Sequence, residues 1–428
     1  MHRRGAKPER WQLRYWSIFT GQAVSLIGSS LTQFVLLWWI TDTTSSVSAL
    51  AMAGMAAMLP QALLGPLGGT FADRYNRRLI LILADIGSAM CMALLVWLFL
   101  THRIELWHAY VMMAVRSALQ AFQYPATVAS TPMLVPEHFL TRAAGLNQTM
   151  YGVMLVGAAP LGALAIGMMP IGLALSIDVV TALLGIVPLL VYSIPQAPPE
   201  KKRRCSSLWR EFREGVDTVW HDPALRWMYL ILTAAMVVVM PTFTMIPLLV
   251  KAHYAGGAQE VAIIESLSGV GMVTGGLIVA MLAPRRRANF VLWGIALSCF
   301  TVAVTGMPAA DMFWIGVVMW TASSVTYVMG TAPFTAIVQT TVPNQLQGRV
   351  LSLLSTLMGL GAPAGMLLAG PLGQLIGVRW LFFVLGVGGG VITLMGFLSP
   401  SIRQMDDRAS VLNEEEEGYL ESIATAQS

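Results

Sequence analysis

The chain is poor in charge. Asp, Glu, Lys and Arg together make up 11% of its 428 residues, where a soluble globular chain carries about 25%. That leaves too few ionised groups to coat a water-facing surface, which excludes an ordinary soluble domain. Cysteine is scarce too. Cys91 and Cys299 fall in apolar runs and Cys205 in a basic stretch, so no disulfide framework is indicated. All six histidines lie in tails, loops or the ends of apolar runs, leaving no imidazole placed for a metal or a proton relay within a run. The sequence lacks a G-x4-G-K-[ST] loop, an HExxH pair and a Gly-rich nucleotide turn after a strand. It therefore offers no enzyme or ATPase signature and implies no cofactor. Any work must draw on an ion gradient or on the substrate's own gradient.

What is abundant is apolar length. Hydrophobic residues make up 56% of the chain, gathered in runs near 14–40, 46–71, 78–100, 106–131, 142–168, 171–193, 224–250, 259–283, 287–306, 311–334, 348–375 and 379–399. Hydrocarbon cannot hydrogen-bond a backbone, so each run must satisfy itself as a membrane-crossing helix. The expectation is an all-α membrane protein with twelve transmembrane helices in two pseudo-symmetric six-helix bundles, 1–193 and 224–400. A cytoplasmic linker (194–223) joins them and an acidic tail (401–428) follows.

Lys and Arg placement orients the chain. With both termini cytoplasmic, the inside segments hold 22 of the 26 basic residues, among them Arg74, Arg77, Arg78, Lys201–Arg204 and Arg285–Arg287. Arg103, Lys251 and Arg379 fall outside and Arg116 within a run, as the positive-inside rule expects for short loops. The net charge of +4 reports this topology, and a nucleic-acid partner is not expected. The first run is too long for a secretory leader and lacks a convincing cleavage site, so it reads as a retained helix. In the linker, Leu208, Phe212, Val216, Val219 and Trp220 share one helical face opposite Arg210, Glu211, Arg213, Glu214 and Asp217, the pattern of an interfacial helix.

The halves look related. Gly68-Gly69 and Gly275-Gly276 are offset by 207 residues, as are Val135-Pro136 and Val342-Pro343; Pro160 and Gly162 match Pro363 and Gly365 at 203. Two such bundles facing each other form a midplane cavity, as transporter repeats do.

Between the second and third runs stands Gly69-Thr-Phe-Ala-Asp73-Arg74-Tyr-Asn-Arg77-Arg78. Gly69 would let helices approach closely, and Asp73 could meet a cation or a helix N-terminus; a charged turn obeying the positive-inside rule is the plainer reading. The spacing G-x-x-x-D-R-x-x-R-R resembles the cytoplasmic loop signature of the major facilitator superfamily. The likeness sharpens toward macrolide-efflux-like drug exporters through Gly21-Gln-Ala-Val-Ser-Leu26, Leu134-Val-Pro-Glu137 and Ala144-Gly-Leu-Asn147. It implies proton-coupled antiport of bulky amphipathic compounds, with Gly69, Asp73, Arg74, Arg77 and Arg78 latching the cytoplasmic side. Ala280 stands where a second Asp would correspond, so only one half carries the full latch. In the fifth run, Gly152-x4-Gly157-Ala-Ala-Pro160-Leu-Gly162 resembles the antiporter motif, with Ala159 in place of its usual Gly; an ordinary proline kink is the alternative.

Arg116 is the costliest residue. A span-centre Arg costs at least about 2.5–3.5 kcal/mol, so it must face protein or water. Arg116, Gln120, Gln123 and Thr127 lie on one helix face. Arg116 either braces the fourth helix against helix-end carbonyls or, as the resemblance implies, takes part in proton coupling; Gln120 stands where relatives have Gly. Gln22, Ser25, Ser29 and Gln33 form a second polar stripe, either interhelical glue or cavity lining. The resemblance favours lining. Tyr151, Asn147, Tyr327, Thr331, Ser352 and Ser355 are weaker candidates for substrate contact, with packing as strong a reading. Three carboxylates fall inside runs. An antiporter needs one that meets each side in turn, and Glu265 is the first choice because its helix borders the cavity in similar folds. Asp178 stands even between coupling and structure, while structural hydrogen bonding is the better reading for Asp85.

The expected protein is a monomeric exporter in a bacterial inner membrane, handling small amphipathic substrates, protons and surrounding lipid. Export of an endogenous metabolite such as a siderophore, import, a non-transporting sensor and a lipid scramblase are the alternatives.

Overall fold

The computed structural model describes residues 8–194, 208–282, 287–342 and 344–402. The basic start before Pro8, Lys201–Arg204, Arg285 and Arg286, Pro343 and the acidic tail lie outside the described residues. Among those described, every regular element is helical. In order these are α1 (Pro8–Thr44), α2 (Val47–Arg74), α3 (Arg77–Leu100), α4 (Leu106–Leu134), α5 (Leu140–Met168), α6 (Ile171–Val191), α7 (Leu208–His221), α8 (Pro223–Ala252), α9 (Ala258–Leu282), α10 (Arg287–Thr305), α11 (Phe313–Thr341) and α12 (Asn344–Leu394).

Ten of these helices are long and apolar enough to cross a bilayer. Two features bring that number to the twelve spans expected. The first is α12, two helices in series, broken where Gly377 takes φ 80° and ψ 159°. That left-handed region tolerates glycine and strains other residues. The second is α4, whose 29 residues are ample in length but diluted by Arg116, Gln120 and Gln123. The short α7 is the amphipathic linker helix and spans nothing.

Local chemistry sets several boundaries. Asn76 caps α3 by accepting from the Arg78 amide at 3.0 Å, and Ser46 caps α2 through the Ala49 amide. Such caps satisfy the free N–H groups of a first helical turn. At the start of α4, Glu105 and His108 form a reciprocal capping box.

The helices show two faces. Along α3, Leu79, Leu83, Ile86, Met90, Leu94 and Trp97 are exposed, while Leu81, Ala84, Asp85, Met92 and Leu95 are buried. A helix that keeps its larger apolar side chains outward, at spacings of three and four, is dressed for lipid.

The chain forms two compact units. Unit 1 holds α1–α6 with Thr244–Ser266 and Met366–Val378; unit 2 holds 208–243, Leu267–Gly365 and 379–402. Within unit 1, α2 packs on α4, α1 on α6 and α5, and α3 on α4 and α6; within unit 2, α10 packs on α11.

Glycines mark the close approaches and repeat them. A Cβ at Gly68 would lie 1.9 Å from the Ala121 carbonyl oxygen, and one at Gly275 would lie 2.4 Å from that of Val325. Gly87 meets Leu119 and Gly294 meets Thr326 and Gly330, again 207 residues apart. Gly162 sits on Leu31 and Phe34 of α1, and Gly365 on Val237 and Pro241 of α8. Thus α1–α5 correspond to α8–α11 and the first arm of α12. The internal repeat is one of backbone packing. One expectation is corrected here: the close approach assigned to Gly69 belongs to Gly68, since a Cβ at Gly69 meets nothing within 4 Å.

Candidate functional site

The polar centre of unit 1 begins with an ion pair. Arg116, 8% exposed, places Nη2 2.7 Å from Asp178 Oδ2 and Nη1 3.1 Å from Met92 Sδ. Ser29 donates to the other Asp178 oxygen at 2.8 Å. This joins α4, α6, α1 and α3. The partner of Arg116 is therefore a carboxylate, not the helix-end carbonyls of the bracing alternative. Burial forces such pairing, because an isolated ion inside protein or lipid is far costlier than a matched pair.

Beside the pair lies a cavity of about 180 Å³, lined by Gln22, Ser25, Ser29, Gln120, Gln123 and Tyr151 among the expected residues. Asp85, Gln61, Ser88, Tyr124 and Thr127 also line it. Gln33 instead lines a smaller hollow with Arg116, Ser117 and Gln120. Gln22 Nε2 donates to Asp85 Oδ2 at 3.0 Å, and Gln123 Nε2 to Asp85 Oδ1 at 2.6 Å. Asp85 thus has the hydrogen bonds expected of a structural carboxylate, yet it also faces the cavity. Sequence reasoning passed over Gln61, Ser88 and Tyr124. The available signal was Ser88 at i+3 from Asp85, on the same helical face.

The turn after α2 holds helix ends together. Arg77 donates to the carbonyls of Ala72 (3.0 Å) and Ala129 (2.8 Å), closing the ends of α2 and α4. Arg78 reaches across to α6, donating to Leu189 and Leu190. Cations at helix C-termini satisfy orphan carbonyls and oppose the negative end of the helix dipole. Arg74 is exposed in the last turn of α2; the Asp73 side chain lies outside the described atoms. In α5, Gly162 is buried against α1 while Pro160 is exposed. Pro160 lines a largely apolar crevice with Ala163, Leu164, Ala262 and Ile263.

Two expected residues are not among those that line the cavity. Glu265, half-buried on α9, belongs to unit 1. Among the described residues no hydrogen bond or ion pair reaches it. Tyr327 belongs to unit 2, its ring 6.2 Å from that of Phe243.

The geometry is that of a membrane protein with a small polar recess, matched charges in its interior and helix ends clamped by arginines. Comparison with known proteins agrees. The chain is 28% identical over 400 residues to macrolide efflux protein A of Streptococcus pyogenes, covering 93% of this chain and 98% of that one. It is 22% identical to the multidrug efflux pump Tap of Mycolicibacterium fortuitum, covering 89% and 94%. Among solved structures, an inward-facing bacterial homologue of the human lysosomal transporter Spinster aligns with a TM-score of 0.66 at 16% identity, covering 95% and 98%. At that identity the likeness shows the fold. The model of the Major Facilitator Superfamily matches residues 18–366 and 253–418, and the twelve-helix, two-bundle chain belongs to that family of transporters.

Proposed function

We propose that the chain is a proton-coupled exporter of amphipathic drug-like compounds, macrolides among them, working by alternating access. The observation that carries this reading is the unit-1 cavity. Its lining of amides, hydroxyls and tyrosines beside a matched Arg116–Asp178 pair offers many weak polar contacts and aromatic faces, as suits bulky ligands of varied shape. The macrolide and multidrug efflux relatives support the substrate class and the outward direction. Gln22, Ser25, Ser29, Gln33, Gln120, Gln123, Tyr151 and Tyr327 contact substrate in this reading. Glu265, Arg116 and Asp178 couple transport to protons. Gly69, Asp73, Arg74, Arg77 and Arg78 latch one end, and Pro160 and Gly162 give α5 its bend and close seat. The protein works as a monomer in the bacterial inner membrane, bundles 1–193 and 224–400 joined by the linker 194–223, with both termini and the tail 401–428 cytoplasmic.

The test is transport in proteoliposomes under an imposed pH gradient, with a macrolide panel and unrelated dyes. Gradient-dependent movement of at least one compound, abolished by a protonophore, is the expected result. Movement of none of them overturns the reading.

A further inference from the structure

Asp85 is a buried carboxylate, 3% exposed, on the wall of the unit-1 cavity. Its two hydrogen-bond donors, Gln22 and Gln123, are neutral. An ionised carboxylate offers about four lone-pair sites, and the two amides fill two. No cation approaches within ion-pair distance of Asp85 among the described residues. The Arg116 guanidinium is already engaged by Asp178 at 2.7 Å and by Met92. The cavity therefore contains one acidic group and no basic group of its own. A buried charge without a counter-charge is strongly unfavourable, and an incoming cation would supply what no protein group does.

The rest of the wall points the same way. Tyr124 and Tyr151 stand edge to face with centroids 6.3 Å apart, and both line the cavity. Aromatic faces attract cations through the ring quadrupole. The cavity volume of about 180 Å³ compares with about 150 Å³ for a cavity that holds benzene. It suits a charged head and one ring, with the remainder of a larger molecule extending outward. The second half repeats the backbone but not this chemistry. At the 207-residue offset, Asp85 corresponds to Leu292 and Gln123 to Gly330.

We infer that Asp85 is the recognition group for the charged nitrogen of an amphipathic organic cation seated in this cavity. The inference rests on the export reading only in taking the cavity as the substrate's place. Gln22 and Gln123 fix the carboxylate, and the tyrosine rings flank the positive head. Anionic amphipaths are rejected by the same charge.

The experiment is equilibrium binding to the full-length protein in nanodiscs, followed by fluorescence. The probes are a dansyl-labelled alkylamine and its uncharged N-acetyl counterpart, with tetraphenylphosphonium as competitor. The wild type is expected to bind the amine at least tenfold more tightly than the acetylated probe, and to release it to tetraphenylphosphonium. Asp85→Asn is expected to remove that preference by weakening the amine at least tenfold, leaving the neutral probe within twofold; Asp85→Glu is expected to retain it. Equal binding of the two probes by the wild type overturns the inference, whether or not any variant folds. So does an Asp85→Asn protein that keeps the preference, or one that loses both probes alike. A wild type that binds the amine through Asp85 but moves nothing across a membrane overturns the export reading and leaves the site standing. One that exports macrolides while Asp85→Asn leaves binding unchanged overturns the site alone.

Discussion

Arg116 on α4 and Asp178 on α6 are joined at 2.7 Å in the interior of unit 1, with Ser29 as the third member. The pseudo-equivalent of Arg116 in the second half, at the 207-residue offset, is the neutral Ser323, whose hydroxyl bonds Ser298. The charged layer is therefore a property of one half of the repeat. Removing one partner strands the other in a medium that cannot solvate it. Arg116→Gln and Asp178→Asn are each expected to lower stability by about 3–5 kcal/mol, while the double variant recovers most of the loss. Thermal unfolding of detergent-purified protein checks this. If the pair also couples protons, the double variant regains stability without regaining gradient-driven export.

The adjacent glycines Gly68 and Gly69 separate packing from propensity. At Gly68 a methyl group would strike the Ala121 carbonyl oxygen, a backbone atom that cannot swing aside. Gly68→Ala is expected to cost about 1–3 kcal/mol, as overpacking does. Gly69→Ala, pointing into open space, is expected to stay within about 0.5 kcal/mol of wild type. The pseudo-equivalent Gly275→Ala is expected to follow Gly68, because the Val325 carbonyl occupies the same place. Melting temperatures of the three proteins, measured side by side, decide it.

Arg78 holds the start of α3 to the end of α6 through the carbonyls of Leu189 and Leu190. Part of this contact is exposed, which discounts its strength. Arg78→Ala is expected to lose about 1–2 kcal/mol. Arg78→Lys should recover part of it, since an ammonium keeps the charge but lacks the fork. Hydrogen exchange should show the last turn of α6 opening more often in the alanine variant, with α4 unchanged.

The spans were legible because lipid imposes a length and a composition on every crossing helix. Even the break at Gly377 falls in the gap between the runs 348–375 and 379–399. The polar face of α4 was legible from the spacing of Arg116, Gln120, Gln123 and Thr127, all of which line the cavity or the smaller hollow. Which carboxylate would meet Arg116 was not, because nothing in a sequence sets the register of α4 against α6. Choosing between Gly68 and Gly69 needed the rotation of α2, since neighbouring residues point about 100° apart around a helix. The structural reading of Asp85 accounts for its two hydrogen bonds but not for its place on the cavity wall. The structure shows that a helix packed on both α4 and α6 can still turn one side chain toward the cavity.

Glu265 differs from the other intramembrane carboxylates in having no hydrogen bond or ion pair among the described residues, whereas Asp178 has Arg116 and Ser29 and Asp85 has Gln22 and Gln123. A carboxylate held by a cation, as Asp178 is by Arg116, takes part in coupling only together with that cation. One without such partners is free to change state as its surroundings change, which is what coupling to a proton gradient requires. Glu265→Gln keeps the shape and removes the titrating proton. It is expected to fold and insert like the wild type, to retain substrate binding within a few-fold, and to lose gradient-driven export by at least tenfold. Counterflow, in which substrate exchanges for substrate without net proton movement, is expected to persist. Paired measurements of pH-driven transport and counterflow in the same proteoliposomes check this, and full pH-driven export by Glu265→Gln removes Glu265 from the coupling step.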